Sequence, residues 1–299
     1  MEFRNVFIAN PAKITIEKKQ LVIEQDKKHY IPGEEISAVM IESHQATITS
    51  YALQFLIANG VHVFFCDEKH MPSAVTIPMN CHSRHFRMLK KQIKISRPLQ
   101  KQLWASIVKQ KVMNQGLCLE YLGIPNAIRV KDMSYLVSSG DAQNIEAQAA
   151  QLYFPMLAGK GFTRSQETVF NGALNYGYAV LRGMIARSLV MYGMEPSFGI
   201  HHHSELNQFN LADDLIEAYR PIVDLLVASW DLDGEEELTP KLKQQLFHIT
   251  NYVILLAEKR YRVMSAVGKT IVSFSQSLKE GENILELPTL VPLEVFEYA

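Results

Sequence analysis

The sequence lacks any long apolar run, although 47% of its 299 residues are hydrophobic. Its unbroken apolar stretches are short, such as Tyr252 to Ala257, well below the ~20 residues that a helix needs to cross a bilayer. The first residues, Met1 to Asn5, contain no basic region followed by an apolar stretch, so we predict no secretion signal. We expect a protein without a membrane anchor, located in the cytoplasm.

Cysteine is also scarce. The three cysteines, Cys66, Cys81 and Cys118, lie far apart and show no C-x-x-C spacing. An odd number at such spacing argues against a disulfide framework and against a structural zinc site. We expect free thiols in a reducing cytoplasm.

Motifs for nucleotide binding and covalent hydrolysis are absent. Residues Gly159 to Thr163 read Gly-Lys-Gly-Phe-Thr, but the spacing of a phosphate-binding loop is missing. Neither a G-x-S-x-G elbow nor a dinucleotide fingerprint occurs. The sequence therefore offers no obvious covalent nucleophile.

One long segment has no acidic residue at all. Between Glu68 and Glu120 the chain carries ten basic residues, so this segment has a charge of +10. Because the net charge of the chain is −1, the remainder carries −11. Such an asymmetric distribution suits a polyanionic partner. The ten residues are Lys69, Arg84, Arg87, Lys90, Lys91, Lys94, Arg97, Lys101, Lys109 and Lys111.

Four of these cations form a regular stripe. Arg84, Arg87, Lys91 and Lys94 are spaced by three, four and three residues, which places them on one face of a helix. Cations on such a face bind DNA phosphates in a salt-dependent manner. An ordinary solvated helix face is the alternative, but the missing acidic residues favour DNA binding.

The periodicity of the chain predicts an α+β protein with two domains. Residues 1–80 show the period-two alternation of strands, for example at Val61, Val63 and Phe65, and predict a small N-terminal β-sandwich-like domain. It contains one helix, Ser50 to Ala58, with Ser50 as N-cap. Pro72, Pro78 and Asn80 indicate a linker. Residues 81–299 predict a larger all-α domain with helices over about 83–96, 99–114, 141–156, 171–193, 211–229 and 241–265.

A cluster near residue 200 could bind a metal. Asp214 and Glu217 are three residues apart, so both carboxylates lie on one helical face. The preceding loop contains His201, His202 and His203, and carboxylates with one imidazole suit Mg²⁺ or Mn²⁺. Such spacing is common, so a structural role remains the alternative at this point.

Glu146 stands near the start of a predicted helix, where a glutamate normally complements the helix dipole. The small residues that follow it, in Ala147-Gln148-Ala149-Ala150, indicate close packing that turns the carboxylate inward. A buried carboxylate requires a metal or a base as its partner.

Taken together, these segments resemble the CRISPR-associated integrase and endonuclease, the larger subunit of the spacer-acquisition complex, over nearly the whole chain. The resemblance rests on the Glu146 segment, on Asn-x-x-Leu-Asn-Tyr-Gly-Tyr within residues 171–178, and on Gly199-x-x-His202. The most specific block is Leu-Ala-Asp-Asp-Leu-Ile-Glu-Ala-Tyr-Arg-Pro-Ile-Val-Asp, residues 211–224. Asn-Gln-Phe-Asn at 207–210 resembles the type II branch.

The resemblance implies a catalytic metal site made of Glu146, His202 and Glu217, with Asp214 as a further acid near the metal and Mg²⁺ or Mn²⁺ as the ion. It leaves open whether His201 or His203 assists His202. The implied reaction inserts short foreign DNA fragments into a repeat array, by attack of a 3′-hydroxyl on a phosphodiester. Two alternatives are a stand-alone metal-dependent nuclease and a non-catalytic architectural DNA-binding protein.

The resemblance also implies an assembly in a prokaryotic cytoplasm. The β domains would pair two chains into a homodimer, and two such dimers would flank a dimer of the small ferredoxin-like adaptation subunit. Double-stranded DNA, as fragment and as repeat array, is the expected substrate. A DNA-end-binding subunit and the RNA-guided effector nuclease are further expected partners.

Overall fold

The computed structural model describes residues 4–79 and 82–297. The strands of its N-terminal part are β1 Arg4–Ile8, β2 Lys13–Glu17, β3 Gln20–Glu24, β4 Lys28–Pro32, β5 Ile36–Ile41, β6 Thr47–Ile48, β7 His62–Cys66 and β8 Pro72–Val75. They form two four-stranded sheets, with strand orders β1-β5-β7-β8 and β4-β3-β2-β6. In the first sheet β1, β5 and β7 are parallel and β8 is antiparallel.

The apolar residues that predicted the strands form the core between these sheets. Ile14, Leu21, Val39 and Val63 are fully buried in one hydrophobic cluster, as alternating strand patterns predict. The helix α1, Ser50–Ala58, has the predicted bounds. Its N-cap, however, is Thr49, whose hydroxyl accepts a hydrogen bond from the Ala52 N–H at 3.2 Å.

The predicted linker is partly a strand. Pro72 begins β8 at the edge of the first sheet, a position where proline is tolerated because no ladder partner needs its missing N–H. Asn80, like Cys81, lies outside the described residues. Phe64 on β7 belongs to the same hydrophobic core as the helices. The division of the chain at residue 80 therefore stays a prediction, since the packing continues across it.

The C-terminal part is helical, which confirms the α+β class. The two longest helices carry the core, with Trp104 and Ile107 buried on one and Leu181 and Met184 buried on the other. The described helices include none that is long and apolar enough to cross a membrane. The helices are α2 His85–Ile93, α3 Arg97–Tyr121, α4 Ala127–Met133, α5 Ile145–Ala158, α6 Val169–Met191, α7 Asn210–Ile216, α8 Arg220–Ala228, α9 Pro240–His248 and α10 Val263–Glu280.

Two segments differ from the prediction. The single helix predicted over 211–229 is two helices, α7 and α8, separated at residues 217–219. The prediction of one helix over 241–265 is wrong for its central part. Residues there form a hairpin of β9 Val253–Leu256 and β10 Lys259–Arg262. A short apolar run cannot be assigned to strand or helix by periodicity alone. The C-terminal part is thus helical with one hairpin, not all-α.

Candidate active site

Glu146 and Glu217 converge on one cation, the ammonium of Lys111. Lys111 Nζ lies 2.6 Å from Glu146 Oε1 and 2.5 Å from Glu217 Oε2. The three side chains come from α3, the start of α5 and the junction of α7 and α8. All are largely buried, with side-chain exposures of 13% for Lys111, 24% for Glu146 and 8% for Glu217. Two distant parts of the sequence thereby form one carboxylate pair.

Asp141 fixes the position of Glu146. Its carboxylate accepts hydrogen bonds from the backbone N–H groups of Ile145 at 2.8 Å and of Glu146 at 3.1 Å. These N–H groups belong to the first turn of α5 and have no partner within the helix. Because this cap fixes the backbone of Glu146, it also restricts where the Glu146 carboxylate can lie.

Glu217 lies where α7 ends, and a second cation holds its other oxygen. Arg220 Nε donates to Glu217 Oε1 at 2.8 Å. Burial by itself raises the pKa of Glu217, but the positive charges and hydrogen bonds of Lys111 and Arg220 outweigh it and hold the pKa at about 2. The same carboxylates raise the pKa of Lys111 against the opposing effect of its burial. Glu217 and Lys111 are therefore both charged at neutral pH.

Asp214 organises the histidine loop. Its carboxylate is completely buried and accepts hydrogen bonds from the backbone N–H groups of Ile200, His201 and His202. His202 Nδ1 lies 2.7 Å from Asp214 Oδ1. The loop also needs Gly199, because a Cβ there would collide with the His202 carbonyl oxygen. Asp214 thus holds the His202 ring in one orientation.

The three histidines of this loop have different surroundings. The hydrogen bond that His202 makes to Asp214 raises the pKa of His202, with smaller contributions from the charges of Asp214, Glu217 and Asp213, against the effect of burial. The His201 ring stacks on Trp104 at 4.1 Å between centroids. The His203 residue is exposed. His202 is therefore the imidazole that the structure orients by a buried acid.

Glu146, His202 and Glu217 are residue types that bind Mg²⁺ or Mn²⁺, but the structure does not bring the three side chains together as one set of metal ligands. Within residues 4–79 and 82–297, no three acidic, histidine or cysteine side chains lie close enough to hold a metal ion. Glu146 and Glu217 do converge, and the buried Glu217 Oε2 has no well-directed hydrogen-bond partner among the described residues. A largely buried carboxylate pair of this kind suits a hard cation. The charge of Glu217 contributes to the raised pKa of His202, but His202 makes its hydrogen bond to Asp214.

The basic stripe lies on α2, next to the C-terminal end of α10. Arg84 is the N-cap and Lys94 the C-cap of α2, so the helix is shorter than the predicted 83–96. Arg84, Arg87 and Lys94 are exposed, whereas Lys91 is half-buried. Arg87, Lys91 and Lys94 line one groove, and Arg84, Arg87 and Lys91 line a second. Lys279 of α10 lines both grooves. Their contact with DNA stays a prediction.

Comparison with known proteins identifies the family. The model of the family described as CRISPR associated protein Cas1 matches residues 6–235. The chain belongs to the Cas1 family. A CRISPR-associated endonuclease Cas1 from Neisseria meningitidis is 39% identical over 303 residues, covering 100% of both chains. The resemblance to the type II branch is consistent with this similarity.

Solved structures share the fold of this Cas1 family member. A casposase bound to integration product has a TM-score of 0.75 at 15% identity, covering 95% of this chain and 92% of that chain. A Cas6-RT-Cas1–Cas2 complex has a TM-score of 0.67 at 16% identity, covering 95% of this chain and 36% of that chain. At these identities the likeness shows the fold alone.

Sequence reasoning missed several residues of the site in this Cas1 chain. The charge pattern shows Lys111 only as one of ten cations, although its spacing from Trp104, Ile107 and Val108 places it on the buried face of α3. A lysine on that face requires a buried acid as partner. Arg220 carried a weaker signal, since it stands three residues after Glu217.

Asn114, one turn beyond Lys111 on α3, was also missed. Its amide donates to the carbonyl oxygens of Ala218 at 2.8 Å and Pro288 at 2.9 Å. Its oxygen accepts from the Leu290 N–H at 3.0 Å. The fully buried side chain therefore ties the residue after Glu217 to the C-terminal segment of the described chain.

The buried carboxylate of Asp224 supports Arg220 indirectly, through Tyr178. Asp224 accepts hydrogen bonds from the Tyr153 hydroxyl at 2.9 Å and from the Tyr178 hydroxyl. Burial raises the pKa of Asp224 to about 6 although both hydrogen bonds lower it. The Arg220 guanidinium lies 4.4 Å from the centroid of the Tyr178 ring, in cation–π contact. Tyr178 thus holds Arg220, which in turn holds Glu217.

Proposed function

We propose that the protein is a divalent-metal-dependent DNA integrase and endonuclease that inserts short DNA fragments into a CRISPR repeat array. The observation that carries the proposal is the convergence of Glu146 and Glu217 on one buried cation, the ammonium of Lys111. Membership of the Cas1 family and similarity to a Cas1 endonuclease support the nuclease and integrase classes. The fold likeness to a casposase bound to integration product supports a DNA-joining reaction.

The residues of the chain have separate roles in this proposal. Glu146 and Glu217 would hold Mg²⁺ or Mn²⁺ through oxygen, and His202 would hold it through nitrogen. Asp214 positions His202 and keeps the loop in place, which makes it a positioning residue rather than a ligand. Arg220 keeps Glu217 ionised.

The reaction exchanges one phosphodiester for another. A 3′-hydroxyl of the fragment forms a new bond to phosphorus, and the bond from that phosphorus to the 3′-oxygen of the target strand breaks. The attacking hydroxyl loses its proton and the leaving oxygen gains one, so no energy cofactor is required. A bound divalent cation would stabilise the charge that develops on the phosphate oxygens. Attack by water instead of the hydroxyl gives nuclease activity.

DNA would approach along the basic stripe. Arg84, Arg87, Lys91 and Lys94 would contact phosphates, which give affinity and register but little sequence information. The proposed partners are a second copy of the chain and a small ferredoxin-like adaptation subunit. The fold likeness to a Cas6-RT-Cas1–Cas2 complex supports this kind of partner. A DNA-end-binding subunit and the RNA-guided effector nuclease complete the proposed assembly.

The decisive experiment is strand transfer of a labelled fragment into repeat DNA, with and without Mn²⁺, in the presence of the small subunit. The expected result is a joined product that requires both Mn²⁺ and Glu146. Cutting without joining, with or without the small subunit, would indicate a stand-alone nuclease. Full function of a Glu146→Ala variant would indicate an architectural DNA-binding protein.

A further inference from the structure

The ammonium of Lys111 contacts both of the carboxylates that would hold a divalent cation. Its ammonium contacts both Glu146 and Glu217 within 2.6 Å, and its side chain is 13% exposed. Two largely buried carboxylates at close range repel each other unless a positive charge lies between them. In the described structure this charge is the ammonium of Lys111.

We propose that Lys111 is a built-in competitor of the metal, which takes the metal's place in the metal-free protein and leaves both carboxylates when a divalent cation binds. This inference rests on the proposed function, because it concerns the same site. It predicts a protein that folds without metal and binds metal less tightly than its carboxylates alone would allow.

The surroundings of the site favour exchange of Lys111 and not of Arg220. Lysine carries its charge on a flexible four-carbon stem, whereas the Arg220 guanidinium is held between Glu217 Oε1 and the Tyr178 ring. Glu146 is anchored by the Asp141 cap on its backbone. When the ammonium leaves, both carboxylates therefore keep their supports.

Charge also favours the exchange. A divalent cation brings two positive charges to the carboxylates where Lys111 brings one, and oxygen ligands of this kind suit Mg²⁺ and Mn²⁺. The exchange nevertheless costs the two ion pairs of Lys111, so the metal affinity is reduced by that amount. Removing the ammonium should raise the affinity.

The first experiment measures Mn²⁺ binding by calorimetry without DNA, in wild type, Lys111→Met and Lys109→Met. Lys109 is the matched control, because it lies on the same helix but is exposed and rests over the Tyr135 ring. Lys111→Met should bind Mn²⁺ at least about tenfold more tightly than wild type, a difference of about 1.4 kcal/mol. It should also unfold at a lower temperature in chelator and gain more thermal stability from Mn²⁺. Lys109→Met should match wild type.

The second experiment uses the wild-type protein and remains informative even if Lys111→Met does not fold. Amine-directed acetylation is followed residue by residue by mass spectrometry, in chelator and in Mn²⁺. Lys111 should become more reactive in Mn²⁺, because it loses its ion pairs, while the exposed Lys109 should not change.

The outcomes separate this inference from the function on which it rests. If wild type binds Mn²⁺ but Lys111→Met binds it no more tightly and Lys111 labelling does not rise, the competitor role is refuted while the metal site stands. If neither protein binds Mn²⁺, both the competitor role and the proposed metal site are refuted.

Discussion

The buried side chain of Gln92 forms two hydrogen bonds with the backbone of Glu195. Gln92 Nε2 donates to the Glu195 carbonyl oxygen at 3.0 Å, and Gln92 Oε1 accepts from the Glu195 N–H at 2.9 Å. Gln92 lies on α2, between the cations of the basic stripe, and Glu195 begins the segment that leads to the histidine loop. The proposed DNA-binding helix and the proposed catalytic loop are thus directly joined.

Gln92→Leu should therefore destabilise the protein and weaken this junction. The substitution leaves two backbone groups of Glu195 without their partner, at a cost of roughly 1 to 3 kcal/mol for each buried unsatisfied group. Urea unfolding followed by fluorescence measures the effect. Gln102→Leu, at an exposed position of α3, is the control and should change stability little. Equal stabilities of the two variants would refute a structural role of the junction.

The site residues should be essential for integration. Glu146→Gln, His202→Ala and Glu217→Gln should each slow strand transfer by at least ~100-fold, about 2.7 kcal/mol of barrier. His201→Ala and His203→Ala should cost less, because neither ring is held by a buried acid. Single-turnover strand-transfer rates at saturating DNA test this order. If His201→Ala is the inactive variant instead, the assignment of the imidazole is wrong by one residue.

Asp214 should act through the loop that it organises. Asp214→Asn keeps the shape of the side chain but replaces one acceptor oxygen by a donor, so at least one of the backbone N–H groups loses its partner. We expect a loss of stability of about 1 to 3 kcal/mol together with slower strand transfer. Thermal unfolding and strand transfer are measured on the same preparation. An Asp214→Asn protein with normal stability but no activity would instead indicate a direct catalytic role for Asp214.

Glu217 should make stability depend on pH in the acidic range. Its folded pKa of about 2 lies below its ordinary value of 4.5. A depressed carboxyl pKa contributes stability that is present above the unfolded pKa and is lost as the pH falls toward the folded pKa. The free energy of unfolding of wild type should therefore fall between pH 4.5 and 2 more steeply than that of Glu217→Gln. Parallel curves for the two proteins would contradict the ion pairing of Glu217.

The basic stripe should contact phosphates and not bases. Arg84→Ala, Arg87→Ala, Lys91→Ala and Lys94→Ala should each weaken binding about equally for two unrelated duplexes, and flatten the slope of log K against log salt by roughly one unit. Lys241→Ala, at an exposed position of α9, is the control. An unchanged slope in all four variants would show that the stripe is only a solvated face. A loss that depends on sequence would show base recognition.

The sequence predicted more of the fold than of the contacts within the site. The strands of residues 1–80 and helices α1, α5 and α6 follow from local periodicity. The hairpin over 253–262 does not follow from local periodicity, because the apolar run Val253 to Leu256 is compatible with strand or helix. Its turn at Ala257 and Glu258 has positive φ angles, but the sequence has no glycine there to indicate a turn.

The site required long-range information. Glu146, His202 and Glu217 were selected by resemblance to a family, since their local patterns are common in helices that bind nothing. Lys111 forms ion pairs with Glu146, which lies 35 residues further along the chain, and with Glu217, which lies 106 residues further along. No local pattern specifies such pairs, although a lysine on the buried face of α3 indicates that an acidic partner must exist.

The tie formed by Asn114 has a consequence for biosynthesis. Three of its hydrogen bonds involve Ala218, Pro288 and Leu290, and the last two belong to the segment that the ribosome makes after every helix described above. Until that segment emerges, the Asn114 side chain lacks its two partners Pro288 and Leu290. In a nascent chain, the Asn114 side chain that holds the Ala218 carbonyl next to Glu217 would therefore have its full set of hydrogen bonds only after synthesis has passed residue 290.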